Sequence, residues 1–255
     1  MTVTAVLGNS LFNQLSFSVP ITQTLFPKNL KAILTDLDGT LIEPDHKDFN
    51  RYAKKIATFF GCPSNIIPDN HLIKRIEDLF QAVNDYFISK NGQSCNREYF
   101  HHVCYQKLGQ LREELNPLLS NIDPAIDQLR SSGLLIALCC AREHSPVLFE
   151  HLSQTFLLSK LDATIFRQDP YSNGAYKEFL FQQASSTLWV YPKECLVIGD
   201  SVDDVKSAKR IGMYVVGVVT GLATFQDLIE AGADAVLESF ADLPCFISKM
   251  ESNLS

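Results

Sequence analysis

The stretch Ala32-Ile33-Leu34-Thr35-Asp36-Leu37-Asp38-Gly39-Thr40 anchors the reading of the chain. Its first part is a short run without polar alternation, the pattern of a strand buried on both faces. Two carboxylates two positions apart follow at once, ahead of a glycine turn. So close together, they repel one another unless a cation or a transferable proton compensates. Asp38-Gly39 taken alone fits a plain solvated turn. Asp36 follows the apolar run directly and does not.

Downstream, residues 134–140, 195–198 and 214–219 repeat the buried-strand pattern, and Ala235–Leu237 is a shorter fifth case. Helix-like segments separate them at Ile122–Ser131, 177–186, 203–211 and Phe225–Ala231. Alternating strand and helix predicts an α/β fold, a doubly wound parallel sheet. In such sheets ligands bind beyond the carboxyl ends of the strands, near the switch in strand order.

Between the first two strands the pattern changes. From about residue 48 to 118 the apolar positions take helical spacing, as in Leu72, Ile73, Ile76, Leu79, Phe80, Val83, Tyr86 and Phe87. One crossover needs far fewer residues. The segment is therefore expected to be an inserted, all-helical cap, placed as a lid after the strand that carries Asp36. The expected division is an N-terminal extension (1–30), an α/β core (31–47 and 119–255) and the cap (48–118).

Composition sets outer limits. The chain has 255 residues, 46% hydrophobic and 20% charged, enough for a sizeable core. Its longest apolar run, residues 134–141, is far below the ~18 residues of a membrane span. Net charge is −7, from 22 basic and 29 acidic residues. A protein that lives on phosphate backbones carries the opposite balance, so neither nucleic acid nor membrane is expected as a partner. Seven cysteines show no CxxC or Cys/His zinc spacing and are expected to be reduced thiols in the cytoplasm. Residues 1–30 lack acids and arginine, and carry neither the basic start nor the apolar stretch of a secretory signal. They read as a poorly anchored extension, with a transit peptide as the competing reading.

The second chemical cluster is Cys195-Leu196-Val197-Ile198-Gly199-Asp200-Ser201-Val202-Asp203-Asp204. It places acids after a strand expected to lie beside the first. An all-oxygen set of this kind suits Mg2+. The bland alternative is that Asp203 and Asp204 only favour the positive end of a helix, and for Asp203 that is all that is needed.

Together, Asp36-Leu37-Asp38-Gly39-Thr40 and Gly199-Asp200-Ser201-Val202-Asp203-Asp204 resemble the first and fourth motifs of the haloacid dehalogenase-like hydrolase superfamily. The segment from Val215 to Leu243, with Thr220-Gly221 and Ala231-Gly232-Ala233-Asp234-Ala235, resembles its phosphoglycolate phosphatase-like branch. The resemblance spans roughly 31–243 and implies a Rossmann-like core and a phosphatase working through an aspartyl-phosphate. Asp36 would be the nucleophile, and Asp38 the general acid and then base. Mg2+ would be held by Asp36, the Asp38 carbonyl and Asp200, with Ser201 and Asp204 in or near the surrounding shell. Gly39 and Thr40 would help bind phosphate. The expected substrate is a small phosphorylated metabolite: phosphoglycolate, a sugar phosphate or a nucleotide monophosphate.

Two departures stand out. The family's second motif puts Thr or Ser after the second strand, where this chain has Cys140. A thiol is a weaker donor than a hydroxyl. Cys140 either faces the phosphate or ends the strand as a core residue; in the first case oxidants are expected to inhibit. The family's third motif supplies a lysine, and Lys177 is the candidate, over Lys160, ahead of a strand, and Lys193. Its usual following proline is replaced by Glu178. Arg142 either touches substrate or lies on the surface. In the cap, Lys74, Arg75, Arg97, His101, His102, Lys107 and Arg112 receive no role. Rival readings are a phosphomutase on the same scaffold and a catalytically weak binding protein.

Overall fold

In the computed structural model, residues 24–44, 46–67, 76–111, 117–143, 146–155, 157–167, 176–221 and 223–253 are described. The strands are β1 (Ala32–Thr35), β2 (Leu135–Glu143), β3 (Ala163–Arg167), β4 (Cys195–Gly199), β5 (Tyr214–Val218) and β6 (Ala235–Leu237). The helices are α1 (His46–Phe59), α2 (Ile76–Asn91), α3 (Arg97–Leu111), α4 (Ile122–Ser131), α5 (Pro146–Gln154), α6 (Tyr176–Thr187), α7 (Val202–Arg210), α8 (Phe225–Ala231) and α9 (Leu243–Ser252).

One parallel sheet runs in the order β3-β2-β1-β4-β5-β6. The strand order switches between β1 and β4, the point where α/β ligands bind. Register pairs Thr35 with Ile198, and the Asp36 N–H donates to the Ile198 carbonyl at 3.0 Å. The residues just past both strands therefore start side by side.

Strands β1, β4 and β5 are buried throughout, as their unbroken apolar runs require. On one face Leu34, Cys139, Val197 and Val215 pack with Phe181 of α6, Val205 of α7 and Leu228 of α8. On the other, α4 packs against β2 and α9. Residues 24–30, counted in the expected loose extension, are pinned. Phe26 is buried edge-on against Tyr214 at 5.2 Å, and Asn29 donates to Glu194 at 3.1 Å. The rest of that expectation, residues 1–23, lies outside the described residues.

Two differences from the sequence reading follow from local chemistry. Strand β3 was not delimited: it is a short edge strand with a half-buried start, so it lacks a long apolar run. Strand β2 does not stop at Cys140 but continues to Glu143, with a register shift between those two residues. Such an irregularity re-aims the side chains it carries.

The helices between 46 and 111 make a second compact unit with its own core. Ile56, Leu79, Val83, Phe100 and Cys104 are buried there, and Phe60 stacks on Phe100 at 4.8 Å. Its charges are used locally: Arg97 pairs with Glu77 at 2.8 Å, His101 lies 3.3 Å from the same carboxylate, and Lys107 sits over the Phe59 ring at 4.7 Å. Leu72, Ile73, Lys74, Arg75 and Arg112 lie outside the described residues. No described helix is long and apolar enough to cross a membrane.

Candidate active site

Three carboxylates, Asp36, Asp200 and Asp204, each present an oxygen within 4.8 Å of the others, and all three residues are buried. Lys177, at the start of α6, lies among them, with its Nζ 2.9 Å from Asp36 Oδ1 and 2.5 Å from Asp204 Oδ1. The position expected to carry proline is instead Glu178, which reaches Arg210 of α7 at 2.6 Å. That ion pair ties the first turn of α6 to α7, the helix that carries Asp204.

Asp204 is fully committed. Its Oδ1 accepts from Lys177, while Oδ2 accepts from the Ser201 hydroxyl at 2.5 Å and the Ser201 N–H at 3.2 Å. Ser201 in turn accepts from the Asp204 N–H, closing a capping box at the start of α7. Asp203 is exposed on the first turn of the same helix.

Among the described residues, one lysine against three buried carboxylates leaves the cluster net negative. Burial pushes the Asp36 carboxyl up to about 7, Lys177 opposes the shift, and the Asp204 and Asp38 carboxylates reinforce it. The donors are hard oxygens, the excess charge is negative, and Asp204 is already occupied. A small divalent cation such as Mg2+ fits these residues, with Asp36 and Asp200 as the carboxylates that would bind it.

Gly39 and Gly221 shape the pocket for Asp200. Gly39 has φ +73°, left-handed backbone that favours glycine, and a Cβ there would lie 2.7 Å from Asp200 Oδ2. A Cβ on Gly221 would lie 1.7 Å from the same oxygen. The Thr220 hydroxyl donates to the Gly39 carbonyl at 2.5 Å, fastening the β5 loop to the turn after β1. Thr40 is fully buried, and its hydroxyl has no hydrogen-bond partner among the described residues.

Asp38 differs from the other acids. Arg142 grips it with both arms of its guanidinium: Nε donates to Oδ2 at 2.8 Å, and Nη2 donates to Oδ1. A surface position for Arg142 is thus incorrect, since its side chain is only 12% exposed. The bulge that extends β2 past Cys140 carries this side chain to Asp38. Cys140 is buried and its Sγ accepts the Arg142 N–H at 3.4 Å. Burial pushes its thiol up to about 12, with Asp38 adding to the shift and Arg142 opposing it. The expected oxidant sensitivity loses its basis, because the reactive thiolate is suppressed.

The structure thus brings Asp36, Lys177, Asp200, Asp204 and Ser201 together, with Asp38 and Gly39 on the adjoining turn. From sequence, Gly221 stands only in the Thr220-Gly221 resemblance and Arg142 only as a substrate contact or a surface residue; the approach of Gly221 to Asp200 and the grip of Arg142 on Asp38 come from the structure. A glycine needed only for close approach leaves no mark in one sequence, and Arg142 depends on an irregular strand end.

A family model described as haloacid dehalogenase-like hydrolase matches residues 30–212. The chain belongs to that family. It is 26% identical over 237 residues to a protein named phosphoglycolate phosphatase from Salmonella typhimurium, covering 85% of this chain and 92% of that one. It is 23% identical over 216 residues to "Pyrophosphatase PpaX" of Bacillus velezensis, covering 85% and 95%. Among solved structures, a predicted phosphatase from Clostridium acetobutylicum superposes with TM-score 0.65 at 18% identity, over 86% of this chain and 99% of that one. A putative beta-phosphoglucomutase from Bacteroides vulgatus gives 0.62 at 17%, over 89% and 91%.

Proposed function

We propose that this hydrolase is a Mg2+-dependent phosphomonoesterase that acts on a small phosphorylated metabolite through an aspartyl-phosphate at Asp36. The observation that carries the reading is the buried Asp36 carboxylate held 2.9 Å from Lys177 and beside Asp200, at the switch point of the sheet. The names of the curated relatives, a phosphoglycolate phosphatase and a pyrophosphatase, support the reaction class.

In the first half-reaction an Asp36 oxygen forms a bond to phosphorus as the bond to the leaving oxygen breaks. Asp38 gives its proton to that oxygen. In the second, water attacks phosphorus, Asp38 takes its proton, and the Asp36–phosphorus bond breaks to release inorganic phosphate and the free carboxylate. Lys177 holds Asp36 in position and offsets charge on the phosphoryl oxygens. Asp36, Asp200 and the Asp38 carbonyl would hold Mg2+, while Asp204 orients Lys177. The cation supplies Lewis-acid neutralisation of phosphate charge. Gly39 and Thr40, on the turn after β1, and Cys140, near the end of β2, would surround the phosphoryl group.

The helical insertion, residues 48–118, serves in this reading as the cap of the core formed by 31–47 and 119–255, since it follows the strand that carries Asp36. The seven free thiols favour a reducing compartment, the cytoplasm.

The test is Mg2+-dependent phosphate release from an aryl phosphate and a panel of metabolite phosphates, with Asp36→Asn as control. Turnover lost in the variant and with chelator supports the reading. Isomerisation of sugar phosphates without phosphate release would replace it with a mutase, and no turnover from folded protein would replace it with a binding function.

A further inference from the structure

We infer that the chain pairs with a second copy of itself through the outer face of α6, each copy seating its Phe179 ring against the Trp189 and Tyr191 rings of the other.

The two faces of α6 differ sharply. Leu180, Phe181 and Ala184 are buried in the core beneath the helix. Phe179, Gln182 and Ser186 are exposed, at the i, i+3 and i+7 spacing of one helix face. The chain leaves the helix through Trp189, whose φ is +57°. The Trp189 N–H donates to the Ser186 carbonyl at 3.1 Å and the Val190 N–H to the Ser185 carbonyl at 3.0 Å. This pair of bonds ends helices at a left-handed residue that is usually glycine. A tryptophan there is strained, and its side chain stands out in solvent: Trp189 is 94% exposed, Tyr191 69% and Phe179 57%. Strain and an exposed indole both count against the monomer, and burial of the ring in a contact offsets them.

The shape of the stripe selects a second copy as the occupant. Bulky rings stand at its two ends, Phe179 at the start and Trp189 with Tyr191 past the end, while Gln182 and Ser186 between them are smaller. The ends lie roughly 15 Å apart at the helical rise. Two such faces, set antiparallel about a two-fold axis between Gln182 and Ser186, bring each Phe179 onto the other copy's Trp189. The smaller side chains cross in the middle, and the contact is the self-complementary one of a two-fold dimer. A hollow of about 640 Å3, lined by Gln182, Ser186, Trp189 and Tyr191, is open to receive the incoming ring. At its edge the Lys193 ammonium sits over the Tyr191 ring at 5.9 Å.

The area is of the right size. At ~200 Å2 for a whole aromatic side chain, the three rings present roughly 450 Å2 on each copy. A stable interface takes about 800 Å2 per partner, an apolar centre with a polar rim. The rings supply that centre, and Gln182, Ser186, Pro192 and Lys193 stand around it.

The test follows the full chain across a dilution series by sedimentation velocity and by the fluorescence of Trp189, its single tryptophan. Wild type is expected to pass from dimer to monomer on dilution, with emission moving to the red in step as the indole returns to water. Trp189→Gly suits the left-handed backbone and keeps the fold. It is expected to weaken association at least about 30-fold, as loss of a central aromatic anchor does. Phe179→Ser, at the other end of the stripe, is expected to weaken it by a similar factor. An equimolar mixture of the two variants restores one intact Phe179–Trp189 contact per pair, so it is expected to associate more tightly than either variant alone. A chain that is monomeric at every concentration, or a dimer that either variant leaves intact, overturns the inference. So does a mixture no tighter than its components. Blue emission from the monomer that dilution does not move also overturns it, because the indole is then covered within one chain.

Discussion

Replacing Gly221 with alanine tests whether the loop after β5 builds the Asp200 site by close approach. The added Cβ would stand 1.7 Å from Asp200 Oδ2, 2.2 Å from its Cγ and 2.3 Å from its Cβ. Favourable carbon contacts lie at about 3.5–4.0 Å. Relief therefore needs on the order of 1.5 Å of relative movement between Asp200 and the loop. Misplacing a catalytic group by about 1 Å costs about 100-fold in rate, so kcat is expected to fall by at least that factor. Half-activation by Mg2+ shifts upward by about 10-fold or more, since Asp200 is displaced. Overpacking costs about 1–3 kcal/mol, or a few degrees in Tm for a chain of this size.

Gly232→Ala is the control. Gly232 has φ +103°, and the nearest atom to a new Cβ is Lys209 Cγ at 3.8 Å, so its cost is backbone strain of about 1–2 kcal/mol away from the acids. Steady-state kinetics over a Mg2+ titration, with melting curves for both variants, separate the effects. Gly221→Ala with turnover and Mg2+ response near wild type would refute the packing argument. Equal activity loss in the two variants would refute it as well.

Lys177→Met removes the cation that contacts Asp36 and Asp204. Turnover should fall at least about 100-fold, and the chelated variant should melt below wild type and regain stability with Mg2+; melting that ignores Mg2+ would contradict this. Cys140→Ser should raise kcat/KM about five-fold if the position faces phosphate, the ~1 kcal/mol of one better hydrogen bond. A fall would make Cys140 a core residue only. Native alkylation at pH 8 should label exposed Cys245 first and leave Cys140, raised to about 12, unmodified until unfolding; peptide mapping decides. Burial raises the thiols of Cys104, Cys139, Cys140 and Cys195. The unfolded chain ionises them at about pH 8.5 and the folded chain does not. Stability is thus intact below that pH and falls as pH climbs, with melting temperatures dropping steeply from about pH 9 to 11; a flat profile would contradict the burial.

The parts of the molecule that could be read in one dimension share a cause. Strands β1, β4 and β5 are buried on both faces, so their sequences are continuously apolar. The acids that follow β1 and β4 stand where a hydrophobic run stops abruptly. Their meeting in space follows from the parallel order with β1 beside β4. Strand β3 was hard to bound because it lies at the sheet edge, where one side needs no apolar partner. The clamp of Arg142 on Asp38 depends on a register shift that no residue pattern announces. Gly221 has unexceptional backbone and matters only through Asp200 packed against it. The absent proline after Lys177 leaves the loop open in sequence, and Glu178 at that position pairs with Arg210.

The most direct test of the central claim is chemical trapping of the acyl phosphate. The enzyme is mixed with an aryl phosphate and Mg2+, quenched during turnover, and treated with borohydride, which reduces an acyl phosphate to an alcohol. Peptide mass spectrometry is expected to find homoserine in place of Asp36 in the peptide spanning residues 32–47, and none without substrate. An unmodified Asp36 during sustained phosphate release, or the label on Asp38 or Asp200, would contradict the account.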